Sequence, residues 1–262
     1  MPIGKFLPIN IFMLTDKKTI TKEYYNNRFG NLSQHLNEEE LIRWKAISNQ
    51  LTKLKKNKDI KIADFGCGRG WLSYKLSEFG EVTGFDISEL SLENAKKSFS
   101  NITFVCLDAS KDIPIDYFEE FDVLISSEVI EHIEDQQNYL KNIFKLLKNN
   151  GVFIITTPNG TWFTSFYIDG REVWKQPIEN WRTSNELVSL INSVGLLKIN
   201  CTTFQSEWIF SYKPNMNVKW LSQTFIRKFL KALGLYNYCI SLLNKKMYGL
   251  NILCVGKKLL CN

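Results

Sequence analysis

The chain is poor in histidine, in paired cysteine motifs and in long apolar runs, and each shortage excludes something. Histidine occurs twice in 262 residues, as His35 and His132. The six cysteines (Cys67, Cys106, Cys201, Cys239, Cys254 and Cys261) contain no C-x-x-C pair, which predicts reduced thiols and a cytoplasmic setting, not a disulfide framework or a zinc site. No apolar run approaches the roughly 20 residues that a membrane-spanning helix needs. The opening MPIGKFLPINIFML is apolar, but Pro8 and Asn10 interrupt it, Lys5 is its one early charge and no A-x-A cleavage pattern follows. It reads as an arm that packs on the domain. Repeats and low-complexity linkers are missing as well.

Acids are scarce in one place. Between Gln205 and Leu250, Glu207 stands alone against seven basic residues (Lys213, Lys219, Arg227, Lys228, Lys231, Lys245 and Lys246), which accounts for the whole formal charge of +6. A protein that grips double-stranded nucleic acid would spread its basic residues more widely, so no such partner is expected. A local basic face suits an anionic small molecule or peripheral contact with a membrane.

What is present is a strand–helix rhythm that begins near residue 60. Apolar runs at Ile60–Phe65, Val82–Asp86, Ile102–Cys106, Phe121–Ser126, Val152–Thr157, Leu196–Phe204 and Leu250–Val255 read as strands. Helical patterns separate them: Leu72, Leu76 and Phe79 before Gly80; Leu92, Ala95 and Phe99 after a capping Ser88; and Leu140, Ile143 and Leu147 ending at Gly151. Thr183 and Glu186 have capping-box spacing. Residues 17–55 read as helical, as does part of 205–249, where Leu221, Phe225, Phe229 and Leu233 recur every four residues. Alternation of this kind predicts an α/β fold with a parallel sheet covered by helices on both faces.

The first strand runs into Asp64-Phe65-Gly66-Cys67-Gly68-Arg69-Gly70. Small residues there allow a tight turn and close backbone approach to a ligand, and the helix that follows presents free N–H groups. Asp86 closes the next strand, where an acid can take both hydroxyls of a ribose. Asp108 follows the third strand. Together these residues resemble the motifs of class I S-adenosylmethionine-dependent methyltransferases: Asp64 to Gly70, then Gly84-Phe85-Asp86-Ile87-Ser88, Leu107-Asp108-Ala109, and Phe121 to Glu128, in the family's order and spacing. The resemblance covers residues 40–204 and implies a Rossmann-like sheet of seven strands whose last strand runs antiparallel. It also implies that S-adenosyl-L-methionine is the cofactor. By this resemblance Asp64, Gly66, Cys67, Gly68 and Gly70 form its loop, Gly66 and Gly68 flanking the methionine part. Asp86 holds the ribose, Ile87 packs on the adenine, Asp108 and Ala109 read the adenine edge, and Ser126 and Ser127 line the reactive end.

An acceptor hydroxyl must lose a proton, and histidine is the common general base near neutral pH. His132 lies just beyond the fourth strand and is the candidate catalytic residue; the alternative is a histidine that orders a loop. Glu128-x-x-Glu131-His132 has i, i+3, i+4 spacing, which on a helix would put two carboxylates and an imidazole on one face, in reach of a divalent metal. The stretch resembles ubiquinone-pathway O-methyltransferases and the methyltransferases of the terminal ribose of small RNAs. The RNA group uses a further downstream histidine that this chain lacks, and no metal is assigned. The aromatics Trp162, Phe163, Phe166, Tyr167, Trp174 and Trp181 form an acceptor pocket or roof the core, and Tyr24 and Tyr25 are candidates to close over the cofactor.

Four segments are expected: an arm and helical cap (1–56), the Rossmann-like core (57–204), a basic aromatic insertion acting as lid, interface or membrane surface (205–249), and the terminal strand (250–262). The expected activity is O-methylation of a small molecule, sugar-like or anionic. N-methylation, terminal-ribose RNA methylation, a nicotinamide-dependent oxidoreductase and a non-catalytic membrane-associated protein are the alternatives.

Overall fold

A computed structural model describes residues 24, 37–54, 60–162, 177–206, 223–247 and 249–259. The elements in chain order are α1 (Glu38–Leu51), β1 (Lys61–Phe65), α2 (Trp71–Leu76), β2 (Glu81–Asp86), α3 (Glu89–Ser98), β3 (Thr103–Cys106), β4 (Phe121–Ser127), α4 (Gln136–Leu146), β5 (Leu147–Pro158), α5 (Ser184–Ser193), β6 (Leu196–Phe204), α6 (Gln223–Ala232), α7 (Tyr236–Lys245) and β7 (Asn251–Lys258).

The strands form one sheet in the order β3-β2-β1-β4-β5-β7-β6. β1 to β5 pair in parallel, and β7 lies antiparallel between β5 and β6. Successive side chains of a strand face opposite sides, so Ile62 joins one apolar layer while Ala63 and Phe65 join the other. The first layer is closed by Ile47 and Leu51 of α1, Leu72 and Leu76 of α2, and Leu92 and Ala95 of α3. The second is closed by Tyr139, Leu140 and Ile143 of α4 and Leu187 and Ile191 of α5. Burial on both faces is why the central strands β1, β4 and β5 read as apolar runs instead of alternating ones.

Local signals place the helix starts. Asn37 and Glu40 make a reciprocal capping box on α1, Thr183 and Glu186 make another on α5, and the Ser88 side chain accepts from the Ser91 amide at the start of α3. Two expected ends differ from the structure. The helix after the glycine loop stops at Leu76, before Gly80. α4 stops at Leu146, and Leu147–Gly151 are already strand. Gly151 is therefore no helix cap. It sits where the β4–β5 register shifts, and a Cβ there would lie 2.8 Å from the Lys148 carbonyl. Lys148 Nζ is held 2.9 Å from Asp122 of β4, so tertiary pairing overrides the local helical pattern.

Chain crossovers leave β1 toward β2 on one side and β4 toward β5 on the other, so the order reverses between β1 and β4. Open α/β sheets bind ligands at such a switch point, beyond the carboxyl ends of the strands. Here those ends are Phe65 and Ser127.

Candidate active site

The loop after β1 is tied down by backbone bonds: the amides of Gly66 and Cys67 both donate to the Phe85 carbonyl, at 2.8 and 2.9 Å. Its three glycines do different work. Gly66 has φ +92°, and a Cβ there would lie 2.3 Å from Val129; Gly70 has φ +78°, and a Cβ would meet Phe104 at 2.7 Å. Both are required by conformation and packing. At Gly68, by contrast, a Cβ would meet nothing within 4 Å, so this part of the loop faces open space.

Asp86 stands at the end of β2. One carboxylate oxygen accepts from the Gly68 amide at 2.7 Å and the other from the Ser88 amide at 2.8 Å. Burial raises its pKa against the pull of those bonds. Ile87 follows it, half-buried. Asp108 accepts from the amide and hydroxyl of Ser110, and α4 holds the next turn through Asn142, whose amide donates to the carbonyls of Ala109 (3.0 Å) and Lys111 (2.6 Å). An open shelf at Gly68, a fixed acid at the β2 end and a second acid after β3 fit the methionine, ribose and adenine parts of an adenosyl ligand.

Three of the expected residues turn their side chains away from the crevice. Asp64 is buried beneath the loop, its carboxylate taking a 2.6 Å bond from Ser73 of α2, and desolvation pushes it up to about 7. It supports the loop instead of lining the crevice. Cys67 turns its thiol into the core layer with Leu72 and Ala95. Ser126 is fully buried, its hydroxyl 2.7 Å from that of Tyr139, which stacks on Phe65. The side-chain alternation of β4 sends Ser126 to the core.

Ser127, the next residue, enters a polar chain instead. Its hydroxyl lies 3.0 Å from Thr156 Oγ1, which donates to Glu128 at 3.1 Å; Thr157 donates to Glu131 at 2.9 Å. Glu128 adopts φ +59° and Ile130–His132 form a single 3-10 turn, so the spacing that suggested one helical face does not lie on an α-helix. Among the described residues no three His, Cys, Asp or Glu side chains gather as a metal site. Both glutamates are pushed up to about 7, first by desolvation; the charge of Glu131 adds to the shift of Glu128. His132 Nδ1 lies 3.1 Å from the Ile178 carbonyl, which can only accept, so Nδ1 carries the proton. Its Nε2 faces Glu131 Oε1 at 3.6 Å. Gln136 fixes this turn by donating to the carbonyls of Ile130 and Asn180.

α1 supplies residues that sequence reading missed. Glu40 accepts two 2.6 Å contacts from Arg69 in the glycine loop, and Arg43 reaches within 3.9 Å of Glu128. The buried Arg43 Nε has no hydrogen-bond partner among the described residues. The sequence reading placed a helix over 17–55, but nothing in it signalled that Glu40 would bind the cofactor loop. Trp162 and Trp181 are partly buried; Phe163, Phe166, Tyr167, Trp174, Tyr25 and the N-terminal arm lie outside the described residues, and of Tyr24 a helical backbone is described.

Residues 56–214 match the family described as Methyltransferase domain. A ubiquinone biosynthesis O-methyltransferase of Pelagibacter ubique is 30% identical over 192 residues, covering 66% of this chain and 76% of its own length. The enzyme of the same description from Bradyrhizobium diazoefficiens is 35% identical over 108 residues, covering 39% of this chain and 42% of its own. In structure, the S-adenosyl-L-methionine complex of Haemonchus contortus phosphoethanolamine N-methyltransferase 2 superposes with a TM-score of 0.57 at 16% identity, covering 94% of this chain and 58% of that one. Loop, acids and switch point agree with these matches: the chain belongs to the class I S-adenosylmethionine-dependent methyltransferases and uses S-adenosyl-L-methionine as its methyl donor on a Rossmann-like fold.

Proposed function

We propose that this enzyme methylates a hydroxyl oxygen of a small-molecule acceptor, with His132 as the proton-accepting residue. The observation that carries the reading is the Ile178–His132–Glu131 arrangement at the mouth beyond β4. A carbonyl that binds Nδ1–H leaves the lone pair of neutral imidazole on Nε2, and a carboxylate beside Nε2 stabilises the imidazolium once a proton arrives. The O-methyltransferase relatives support oxygen as the accepting atom.

The cofactor supplies an electrophilic methyl group and a thioether leaving group. The protein's part is alignment and proton handling. Asp86 takes the ribose hydroxyls, Asp108 and the Ala109 backbone read the adenine edge, and Ile87 packs on the ring. The backbone of Gly66 to Gly70 backs the methionine end, with Asp64 and Cys67 acting from below. Arg43, whose Nε–H has no partner among the described residues, suits an anionic group of cofactor or acceptor. Ser127 and Thr156 orient Glu128, and His132 accepts the acceptor's proton as its oxygen bonds to the methyl carbon. Holding the reactants in line can supply about 7–11 kcal/mol of the barrier reduction. In this reading the strands β1 to β7 with their flanking helices form the catalytic core and α1 (Glu38–Leu51) caps it.

A screen of phenols, sugars and amines with methyl-labelled cofactor tests the proposal. Label on hydroxyl products, lost in His132→Ala with cofactor affinity retained, is the expected result. Label confined to amines would refute it.

A further inference from the structure

The helical hairpin α6–α7 presents an apolar, basic surface that the catalytic reading does not use. Its turn carries Leu233 and Leu235, exposed at 54% and 46%, and the outer side of α7 continues them with Tyr238 and Leu242. The inner side of α7 is different: Ile240 is buried, and the Asn244 carbonyl accepts from Thr203 of β6 at 2.9 Å. α7 is thus apolar on both sides, and among the described residues only one is covered. Lys228, Lys231, Lys245 and Lys246 are exposed on the hairpin. No acid occurs from residue 208 to residue 250. Exposed apolar residues bordered by basic ones, with no acid to balance them, are the composition of a surface that meets an anionic bilayer.

The hairpin's place in the fold matters as much as its composition. β6 runs in the same direction as β5, since both are antiparallel to β7, so its end at Phe204 lies at the ligand-binding edge of the sheet. Asn159, just past β5, clamps the chain leaving α7 by donating to the Met247 and Gly249 carbonyls, and the Gly249 amide donates to Thr203. The hairpin is therefore fixed to the edge that carries the active site.

We infer that α6–α7 docks the enzyme on membranes rich in anionic phospholipid, with Leu233, Leu235, Tyr238 and Leu242 entering the headgroup layer and the lysines pairing with lipid phosphates. Docking is peripheral, because no helix among the described residues is long and apolar enough to cross a bilayer. A second copy of the chain is the poorer occupant: an isologous contact would press two hairpins of the same positive sign together. The inference stands on the hairpin alone and does not depend on which atom is methylated.

Co-sedimentation of the full chain with phosphatidylglycerol vesicles and with phosphatidylcholine vesicles, each over a salt series, tests it. Binding to the anionic vesicles alone is expected, and it should weaken as salt shortens the screening length. A surface lysine contributes about fivefold in affinity, so Lys228→Ala with Lys231→Ala should weaken binding roughly 25-fold. Leu233→Asp with Tyr238→Asp should abolish it, whereas Lys96→Ala with Lys97→Ala on α3 should leave it unchanged. Retained cofactor affinity, measured by calorimetry, shows that each variant is folded. Failure to sediment with anionic vesicles overturns the inference, as does equal weakening by the α3 variant. A dimer that Leu233→Asp splits into monomers would give the surface to a second copy and overturn it too.

Discussion

Replacing Glu131 by Gln should stabilise the protein at alkaline pH and hardly at all in mild acid. The carboxyl is 1% exposed, and burial raises it from 4.5 to about 7. A group whose pKa is raised by folding favours the native state only while protonated, so its contribution is intact below pH 4.5 and is lost as pH climbs through 7. With these two values, the carboxyl costs roughly 1 kcal/mol at pH 5 and roughly 3 kcal/mol at pH 8. Glutamine keeps an acceptor for the Thr157 hydroxyl, now 2.9 Å from the carboxylate, and carries no charge to desolvate. Urea unfolding at both pH values should therefore show the variant gaining roughly 2–3 kcal/mol more at pH 8 than at pH 5, with an unchanged m value. The midpoint of thermal unfolding at pH 8 should rise by roughly 5–10 °C. Turnover should fall, because the imidazolium partner is gone. A stability change of equal size at both pH values would show that burial does not raise the carboxyl, and the argument for its raised pKa would fail.

Other perturbations separate the roles of individual residues. Asp86→Ala removes an acid proposed to make two charge-assisted bonds to the ribose. Calorimetry should record a loss of about 3–6 kcal/mol in cofactor binding, with circular dichroism unchanged; unaltered affinity would remove the ribose assignment. His132→Ala should lower kcat much more than it raises the cofactor Kd, whereas normal turnover would return His132 to ordering the Ile178 strand-side loop. Gly66→Ala forces a Cβ to within 2.3 Å of Val129 at φ +92° and should destabilise the fold by about 1–3 kcal/mol; Val129→Ala in the same chain should recover part of the loss. Arg69→Ala leaves Glu40 buried without its guanidinium and should cost about 3–5 kcal/mol, and a double-mutant cycle with Glu40→Gln should show strong coupling.

The centre of the sheet was legible because both faces of β1, β4 and β5 are buried, so these strands are apolar runs; the edge strand β6, half-exposed and mixed in character, still falls on the expected residues, Leu196–Phe204. The end of α4 was not legible. Leu147 continues the helical stripe, and only its pairing with Phe121 makes it strand. Glycine spacing and the acids at strand ends located the cofactor crevice, but residue type cannot state side-chain direction. Ser126 and Ser127 are neighbours of identical chemistry that point into opposite environments, one to Tyr139 and one to Thr156. Likewise Glu128 and Glu131 carry helical spacing on a backbone that is not α-helical. Contacts between distant segments, such as Glu40 with Arg69 or Asn159 with Gly249, leave no local trace.

The position of β7 has a consequence for how the molecule is made. This strand follows all the other described strands in sequence, yet it is threaded between β5 and β6 and pairs with both. On a ribosome, β1 to β5 can assemble as they emerge, while β6 must wait with no neighbour until residues 251–258 follow. During that interval the edges of β5 and β6 are open to pairing with other nascent chains. Shortening the chain ahead of Asn251 would make the interval permanent, and the expected product is an aggregate, not a smaller enzyme.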